Sequence, residues 1–207
     1  MCKRLIIIGA GGHGKVVADI ALLNGYDEIF FLDDNYVGKT CAGFPVVGKV
    51  FDFKKYENQL YDFIVAIGNA YIREKIQNKL ARVTTLIHPK STISRCVSLG
   101  MGTVVMAGAV INSDAKIGKG CIINTSASVD HDSVIGDFVH VAVGAHLAGN
   151  VIVGTKSWIG IGACVKNNVK IIDGCMIGAG SVVVNDISTS GTYVGVPAKL
   201  LVKGDRF

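Results

Sequence analysis

The sequence predicts a small α/β domain with a Rossmann-like start, followed by a solenoid of short parallel β-strands. Three observations predict this fold class. An aliphatic residue recurs at every sixth position from Ile87 to Val183. The first 85 residues lack that period, and they open with an apolar strand, a glycine-rich turn and a helix. We therefore expect two domains, one over residues 1–85 and one over residues 86–207.

The six-residue repeat runs through the second domain without an insertion. All seventeen residues at this spacing are Ile, Leu or Val, and the residues four positions further along are mostly small. A period of six fits neither an α-helix nor an amphipathic strand, whereas it fits a solenoid that turns after every hexad. Three hexads form one triangular coil of 18 residues, so the array predicts between five and six coils. The aliphatic side chains then fill the interior, and the small residues lie where the chain bends.

The first domain shows alternating strand and helix patterns. The stretch RLIIIGAGGHGKVVADIALLNG predicts a buried strand, a glycine turn and a helix that ends before Gly25. Further strands are predicted at EIFFLDD and YDFIVAIGN, and a second helix at AYIREKIQNKLA. This alternation predicts a small parallel α/β unit. The face of the first helix that we expect to be buried carries Val16, Val17, Ile20 and Leu23.

The glycine turn matches the pattern G-x-G-x-x-G at Gly9, Gly11 and Gly14, and two acidic residues follow the next predicted strand. Such a turn can hold a diphosphate on backbone N–H groups and a helix N-terminus. The unit is short for a complete dinucleotide fold, which favours a nucleotide-sugar diphosphate over NAD. A tight turn without a ligand remains an alternative. His13 in this turn could donate to a phosphate or a sugar hydroxyl, or lie exposed without a ligand.

Composition excludes several classes of protein. The net charge of +5 is modest, and no basic run with interleaved aromatic residues predicts nucleic-acid binding. The six cysteines form no CxxC pair, so we expect no metal site. The apolar run near the N-terminus is only four residues long, which fits neither a signal peptide nor a membrane span. We therefore expect a cytoplasmic protein with reduced thiols.

The stretch TSASVDHDSVIGDFVHVAVG, residues 125–144, concentrates polar residues within the repeat. His131 lies between Asp130 and Asp132, at a turn two positions beyond the interior Val129. A histidine beside a carboxylate is typical of a general base, because the carboxylate favours the protonated imidazole. The alternative is a solvent-facing turn residue. Gly149 lies 18 residues further along, so its N–H would lie near His131 as a donor to an oxyanion.

The chain resembles the PglD/NeuD-type sugar acetyltransferases, which belong to the hexapeptide-repeat acyltransferases. The resemblance rests on the two-domain layout and on the stretches GAGGHG, FLDD, AIGN, LIHP, NTSASVDHDSVIGDFVHVAVGA, AGNV and GVPAK. It implies a left-handed parallel β-helix that packs as a homotrimer with active sites between subunits. It also implies direct acetyl transfer from acetyl-CoA to the amino group of a UDP-linked 4-amino sugar of the bacillosamine type. O-acetylation of sialic acid or another sugar is the alternative.

The resemblance also assigns roles to individual residues. His131 takes the role of general base and Asp132 that of its partner, where an Asp replaces the Glu of the family pattern. The positions that match acetyl-CoA contacts are His140, Ile161 and Ala179, and Lys199 in GVPAK is a further candidate. The positions that match sugar-nucleotide contacts are Gly11, Gly12, His13, Asp33, Asp34 and Gly68.

Two hypotheses from other functional classes are also compatible with the sequence. One is a nucleotide-sugar-binding or scaffold protein whose solenoid is catalytically inactive. The other is an NAD-dependent enzyme built on the first domain. Replacement of His131 by Ala separates both from an acetyltransferase, because only acetyl transfer depends on that side chain.

Overall fold

The computed structural model describes residues 2–57 and 60–202 of the chain. The last five residues of the predicted second domain, 203–207, lie outside the described part. The first domain contains β1 (Arg4–Ile8), α1 (Gly12–Leu23), β2 (Glu28–Leu32), β3 (Thr40–Cys41), β4 (Phe44–Gly48), a 3₁₀ helix (Val50–Phe53), α2 (Lys54–Glu57), β5 (Asp62–Val65) and α3 (Ala70–Gln77). The predicted strands and helices all form, and the β3–β4 hairpin is an addition that the apolar patterns did not indicate.

The first domain is a five-stranded sheet in the order β3-β4-β2-β1-β5. Strands β4, β2, β1 and β5 run parallel, and only the β3–β4 pair is antiparallel. Leu5 to Ile8 are fully buried on the central strand β1. A parallel strand covered on both faces requires such a continuous apolar run.

The buried face of α1 differs in part from the prediction. Val17 and Ile20 are buried, whereas Val16 is 40% exposed and Leu23 is 56% exposed. The buried face of α1 also carries three small residues, spaced four and three positions apart: Gly14, Ala18 and Ala21. Because successive helical residues are rotated by about 100°, Val16 points away from the face that holds Val17. Helix α1 ends as predicted, where Gly25 adopts a φ of +76° and donates its N–H to the Leu22 carbonyl.

The second domain is a parallel β-helix with three sheets, so the predicted fold class is confirmed. Sheet I contains β6 (Leu86–Ile87), β9 (Val104–Val105), β12 (Ile122–Ile123), β15 (His140–Val141), β18 (Trp158–Ile159), β21 (Met176–Ile177), β23 (Thr192–Val194) and β24 (Lys199–Leu200). Sheet II contains β7 (Thr92–Ile93), β10 (Val110–Ile111), β13 (Ser128–Val129), β16 (His146–Leu147), β19 (Cys164–Val165) and β22 (Val182–Val183). Sheet III contains β8 (Ser98–Leu99), β11 (Lys116–Ile117), β14 (Val134–Ile135), β17 (Ile152–Val153) and β20 (Lys170–Ile171).

From β6 to β20, each coil contributes one short strand to each sheet, and equivalent residues pair at a spacing of 18. Ile122 pairs with His140, and Ser128 pairs with His146. The aliphatic hexad residues and most of the small residues four positions later form one buried core. Ala109 and Cys121 are fully buried members of that core, so the small residues at the bends fill the interior as well.

The first domain packs on the outer surface of sheet I. Leu86, Val104, Met106 and Ile122 share a buried cluster with residues of α1 and β1. Asn24, just after α1, donates its amide to the Ile87 carbonyl. Sheet I is therefore the face of the β-helix that meets the first domain. Within the described ranges, no helix is both long enough and apolar enough to cross a lipid bilayer.

Candidate active site

His131 occupies the corner that joins sheet II to sheet III. Its N–H donates to a carboxylate oxygen of Asp130 at 2.8 Å, and its carbonyl accepts from the N–H of Asn150 in the next coil at 2.8 Å. Asp132 has a φ of +60° and donates its N–H to the Ser113 carbonyl in the preceding coil. The backbone of this turn is thus bonded to the coils on both sides, which fixes the point from which the imidazole projects.

The imidazole of His131 is bonded to the following residue. Its Nδ1 lies 2.7 Å from Oδ2 of Asp132, so the shorter Asp side chain reaches the ring. This hydrogen bond, and after it the charge of Asp130, raises the pKa of His131 above its ordinary value. With the Nδ1 proton donated to Asp132, Nε2 is the basic atom of the ring. Both side chains are more than half exposed, so an approaching substrate can reach Nε2.

Gly149 lies directly against the edge of this imidazole. A Cβ atom at that position would come within 2.5 Å of Nε2 and 2.6 Å of Cε1 of His131. Only glycine therefore leaves room for the ring in its present orientation. The structure brings together the three predicted catalytic residues at this corner.

A second cluster lies between the first domain and sheet I, where His140 is 7% exposed. Its ring centroid is 4.1 Å from that of Trp158, and its Nε2 is 3.0 Å from the Asn124 side-chain amide. Burial, followed by repulsion from His13 and Arg73, lowers the pKa of His140 to about 3. Burial and then Arg73 lower the pKa of His13 to about 4. Both imidazoles are therefore neutral at physiological pH.

These two histidines share a further property. Nε2 of His13 and Nδ1 of His140 are buried and have no hydrogen-bond partner within the described part of the chain. Buried polar atoms are normally bonded, so unsatisfied ring nitrogens mark a place where a polar ligand can bind. Gly68 lies beside the Trp158 ring that contacts His140, since a Cβ added to Gly68 would be 3.9 Å from that ring.

The glycine turn divides into a packed half and an open half. A Cβ on Gly14 would collide with the Gly9 carbonyl oxygen, and Gly9 itself has a φ of +108°. Gly11 and Gly12 have no heavy atom within 4 Å of an added Cβ. The N-terminus of α1 therefore faces open space, and its first N–H groups are available to an anion.

Asp33 and Asp34 bond to the backbone of their own domain. Asp33 accepts from the N–H of Ala10 at 2.9 Å, and Asp34 accepts from the N–H of Val50 at 3.0 Å. Both line a mainly apolar cavity of about 370 Å³ that also includes Phe51. The two carboxylates therefore shape the turn around this cavity in addition to any contact with a ligand.

Ile161 and Ala179 lie at the corner that joins sheet I to sheet II, one coil apart. Ile161 is 60% exposed, and its carbonyl accepts from the N–H of Gly180. Lys199 is exposed in β24, which extends sheet I at its C-terminal end. The corner that carries His131 is opposite sheet I in the triangular coil. Within one chain, the predicted base and the predicted sugar-nucleotide residues therefore lie on opposite sides of the β-helix.

One residue at the domain junction was missed by the sequence analysis. Arg73 is 1% exposed and donates hydrogen bonds to backbone groups of both domains. No local pattern indicates this role, because a charged residue within AYIREK is equally typical of an exposed helix face.

Comparisons with known proteins agree with this fold. Residues 4–80 match the family described as the PglD N-terminal domain. The acetyltransferase domain of PglB from Neisseria gonorrhoeae, also solved in complex with acetyl coenzyme A, is 44% identical with a TM-score of 0.92. That match covers 96% of this chain and 100% of the PglB domain. PerB from Caulobacter crescentus, solved with CoA and GDP-perosamine, is 37% identical with a TM-score of 0.92, and the match covers 98% of this chain and 99% of PerB.

Curated relatives cover less of the chain. UDP-N-acetylbacillosamine N-acetyltransferase of Bacillus subtilis is 36% identical over 116 residues, which are 51% of this chain and 52% of that protein. An uncharacterized protein of Acanthamoeba polyphaga mimivirus is 34% identical over 111 residues, or 53% of this chain and 22% of that protein. The chain thus spans about half or less of these two relatives, whereas it spans nearly all of the two solved structures. The coverage and identity of those structures, together with the repeat and the first domain, show that the chain belongs to the PglD-type family of hexapeptide-repeat sugar acetyltransferases.

Proposed function

We propose that this protein is an N-acetyltransferase that uses acetyl-CoA to acetylate the amino group of a nucleotide-linked amino sugar. The acceptor that we favour is a UDP-linked 4-amino sugar of the bacillosamine type. The observation that carries the proposal is the hydrogen bond between His131 and Asp132 on an exposed corner, with Gly149 against the ring. The names of the relatives add support, because they include a bacillosamine N-acetyltransferase and domains solved with CoA ligands.

The proposed chemistry uses His131 as a general base. The amine nitrogen attacks the thioester carbonyl carbon, and Nε2 of His131 accepts the proton that the nitrogen loses. Asp132 stabilises the imidazolium that forms, because its carboxylate accepts the Nδ1 proton in a hydrogen bond. The N–H of Gly149 is the proposed donor to the oxyanion. When the C–S bond breaks, the imidazolium returns its proton to the leaving thiolate.

The first domain is the proposed site for the sugar nucleotide. The open turn at Gly11 and Gly12 leaves room for a diphosphate at the N-terminus of α1, and the partial positive charge there favours such an anion. The buried nitrogen atoms of His13 and His140 are suited to hydroxyl or phosphate oxygens. Asp33, Asp34 and Gly68 complete this side of the proposed site. Along the neighbouring corner, Ile161 and Ala179 are the proposed acetyl-CoA contacts, with His140 and Lys199 beside them.

We propose that the working enzyme is a homotrimer in which each site lies between two subunits. His131 of one chain faces away from the first domain of the same chain, so a single chain cannot present its base to its own sugar nucleotide. Three β-helices with flat sheets can pack around a common axis, which places the corner of one subunit next to the first domain of another.

The first experiment measures free thiol release from acetyl-CoA, with UDP-4-amino-4,6-dideoxy-N-acetylglucosamine and sialic acid tested separately. We expect turnover with the UDP-sugar alone, and a loss of about 10²- to 10⁴-fold in kcat for the variant His131→Ala, which is the usual contribution of a general base. His88→Ala, in the first coil, is the matched control and is expected to retain activity. Turnover with sialic acid alone would move the assignment to O-acetylation. Full activity of His131→Ala would exclude the proposed mechanism.

A further inference from the structure

Arg73 is a buried cation that joins the two domains. Its Nε donates to the Gly120 carbonyl and one terminal nitrogen donates to the Phe138 carbonyl, each at 2.7 Å. The other terminal nitrogen donates to the carbonyls of Ile67 at 2.7 Å and Gly68 at 2.8 Å. The guanidinium therefore links two successive coils of the β-helix to the loop that follows β5.

The rest of α3 follows the same corner of the β-helix, between sheets III and I. Gln77, one turn after Arg73, donates to the Met101 carbonyl at 3.0 Å. Glu74 forms an ion pair with Lys156 at 3.0 Å. Gly102 and Gly120 occupy equivalent turn positions, and added Cβ atoms there would overlap with Gln77 and Phe138 respectively. The helix is thus docked along several coils, with Arg73 at the centre of the contact.

The chemistry of this contact favours a geometric role over a purely stabilising one. Burial of a cation costs free energy, which is why burial lowers the pKa of Arg73 to about 10. An apolar side chain of similar volume would fill the space without that cost. An apolar residue cannot replace the rigid, planar guanidinium, whose N–H groups donate to four carbonyl oxygens and so fix their distances from one another.

Arg73 joins the loop that follows β5, which belongs to the first domain, to coils of the β-helix. These two segments meet at the cluster between the first domain and sheet I that contains His140. Gly68 lies next to the Trp158 ring, and Phe138 precedes His140 by two residues. We propose that Arg73 is a positioning residue that holds the Ile67–Gly68 loop at a fixed distance from the His140–Trp158 surface, and so sets the width of the cleft for the nucleotide-linked sugar. The identity of the ligand rests on the proposed function, whereas the cleft width is a property of the free protein.

The test compares full-length Arg73→Lys and Arg73→Met with the wild type. Trp158 is the only tryptophan in the chain, so its emission and its quenching by acrylamide report directly on this cleft. For Arg73→Lys we expect red-shifted emission, stronger quenching, and a KM for the UDP-amino sugar that rises by about tenfold, as loss of charged hydrogen bonds typically causes. The KM for acetyl-CoA is expected to rise less than the KM for the sugar, because Ile161 and Ala179 lie on another corner and His140 is the proposed acetyl-CoA contact that borders this cleft. Arg82→Met is the matched control, since Arg82 is an exposed arginine that pairs with Asp62 in the same domain.

Several outcomes would overturn the proposal. One is a folded Arg73→Lys protein whose Trp158 emission and sugar KM equal those of the wild type. Another is a variant that is less stable to heat while both KM values are unchanged, since that result would mark a merely structural residue. If Arg73→Met does not fold, Arg73→Lys decides the question. If the wild type neither turns over the UDP-sugar nor binds UDP, the proposed function fails, but the Trp158 measurements still decide whether Arg73 sets the cleft.

Discussion

At the scale of single residues, the basicity of His131 depends on its neighbours in one turn. Asp132 adopts a positive φ, a conformation that Asp and Asn adopt more easily than most residues. In that conformation its carboxylate reaches back to Nδ1 of the preceding imidazole. Asp130 is held by the Asn112 amide at 2.7 Å, which keeps a second negative charge close to the ring.

The pKa of His131 leads to a prediction for Asp132→Asn. The hydrogen bond to Asp132 raises the pKa of His131, and a protonated imidazole cannot accept a proton, so the rate falls as the pH falls through that pKa. Asn keeps the shape and tolerates the turn conformation but removes the charge. We therefore expect the acid limb of the kcat/KM profile to move to lower pH and the plateau rate to fall.

The control for this experiment is Asp114→Asn. Asp114 occupies the same turn position one coil earlier and has a φ of +62°. Its replacement is expected to leave the pH profile unchanged. An acid limb that stays in place in Asp132→Asn would show that Asp132 does not set the pKa of the base.

Gly149→Ala tests the contact between the glycine and the ring. The added methyl group would meet the His131 imidazole, an exposed ring that can rotate away at small cost. We expect normal thermal stability and a kcat lowered by at least about tenfold, because a displaced base loses alignment with the amine. Gly136→Ala gives the contrasting case, because its Cβ would lie 2.7 Å from the Thr155 backbone nitrogen and stability should fall instead. Unchanged kcat in Gly149→Ala would mean that the observed ring position is not the reactive one.

At the scale of elements, the glycine turn of the first domain combines tightly packed glycines with glycines that border open space. Gly14 allows α1 to approach the carbonyl of Gly9, and no side chain can share that space. Gly11 and Gly12 instead border open space at the N-terminus of α1. One motif therefore contains glycines that the fold requires and glycines that we assign to a ligand.

This division predicts opposite effects for two alanine variants. Gly14→Ala should lower the free energy of unfolding by about 1–3 kcal/mol, since the new methyl group meets backbone that cannot move. Gly12→Ala should unfold like the wild type while its affinity for UDP falls, because the methyl group enters the proposed diphosphate site. Urea denaturation and UDP titration measure the two effects. Wild-type UDP affinity in Gly12→Ala would remove the turn from the proposed site.

At the scale of the whole molecule, the β-helix separates the two halves of the proposed site. The first domain covers sheet I, and His131 projects from the corner opposite that sheet. A triangular cross-section makes this separation unavoidable within one chain. In the proposed mechanism, catalysis therefore requires a second copy that brings its corner to the first domain.

Mixed oligomers test this requirement. We expect that His131→Ala and Gly12→Leu are each inactive alone, because one lacks the base and the other fills the open turn. Co-expressed with different affinity tags and purified on both, the mixed trimers should regain up to about a third of the wild-type rate, because one of the three interfaces in each mixed cyclic trimer combines two intact halves. A mixture as inactive as its parents would place the whole site within one chain.

The sequence was sufficient to predict the β-helix and the proximity of the residues at the proposed catalytic corner. Each hexad residue points inward or outward because of its position in the local repeat, so seventeen aliphatic positions fix the core without reference to distant segments. A spacing of 18 residues likewise predicts that Gly149 lies next to His131. The first domain was predicted with less detail, since the burial of Val16 and Leu23 in α1 depends on which face the sheet covers.

How the two domains meet follows from the tertiary structure. The sequence predicts the coils, the turn that holds His131 and the glycine motif, because these follow from periodicity and local conformation. It did not determine that Arg73 is buried, that His13 and His140 are neutral neighbours, or that His131 faces away from them. Those properties depend on contacts between segments far apart in the chain, and no local pattern encodes which surfaces will exclude water from each other.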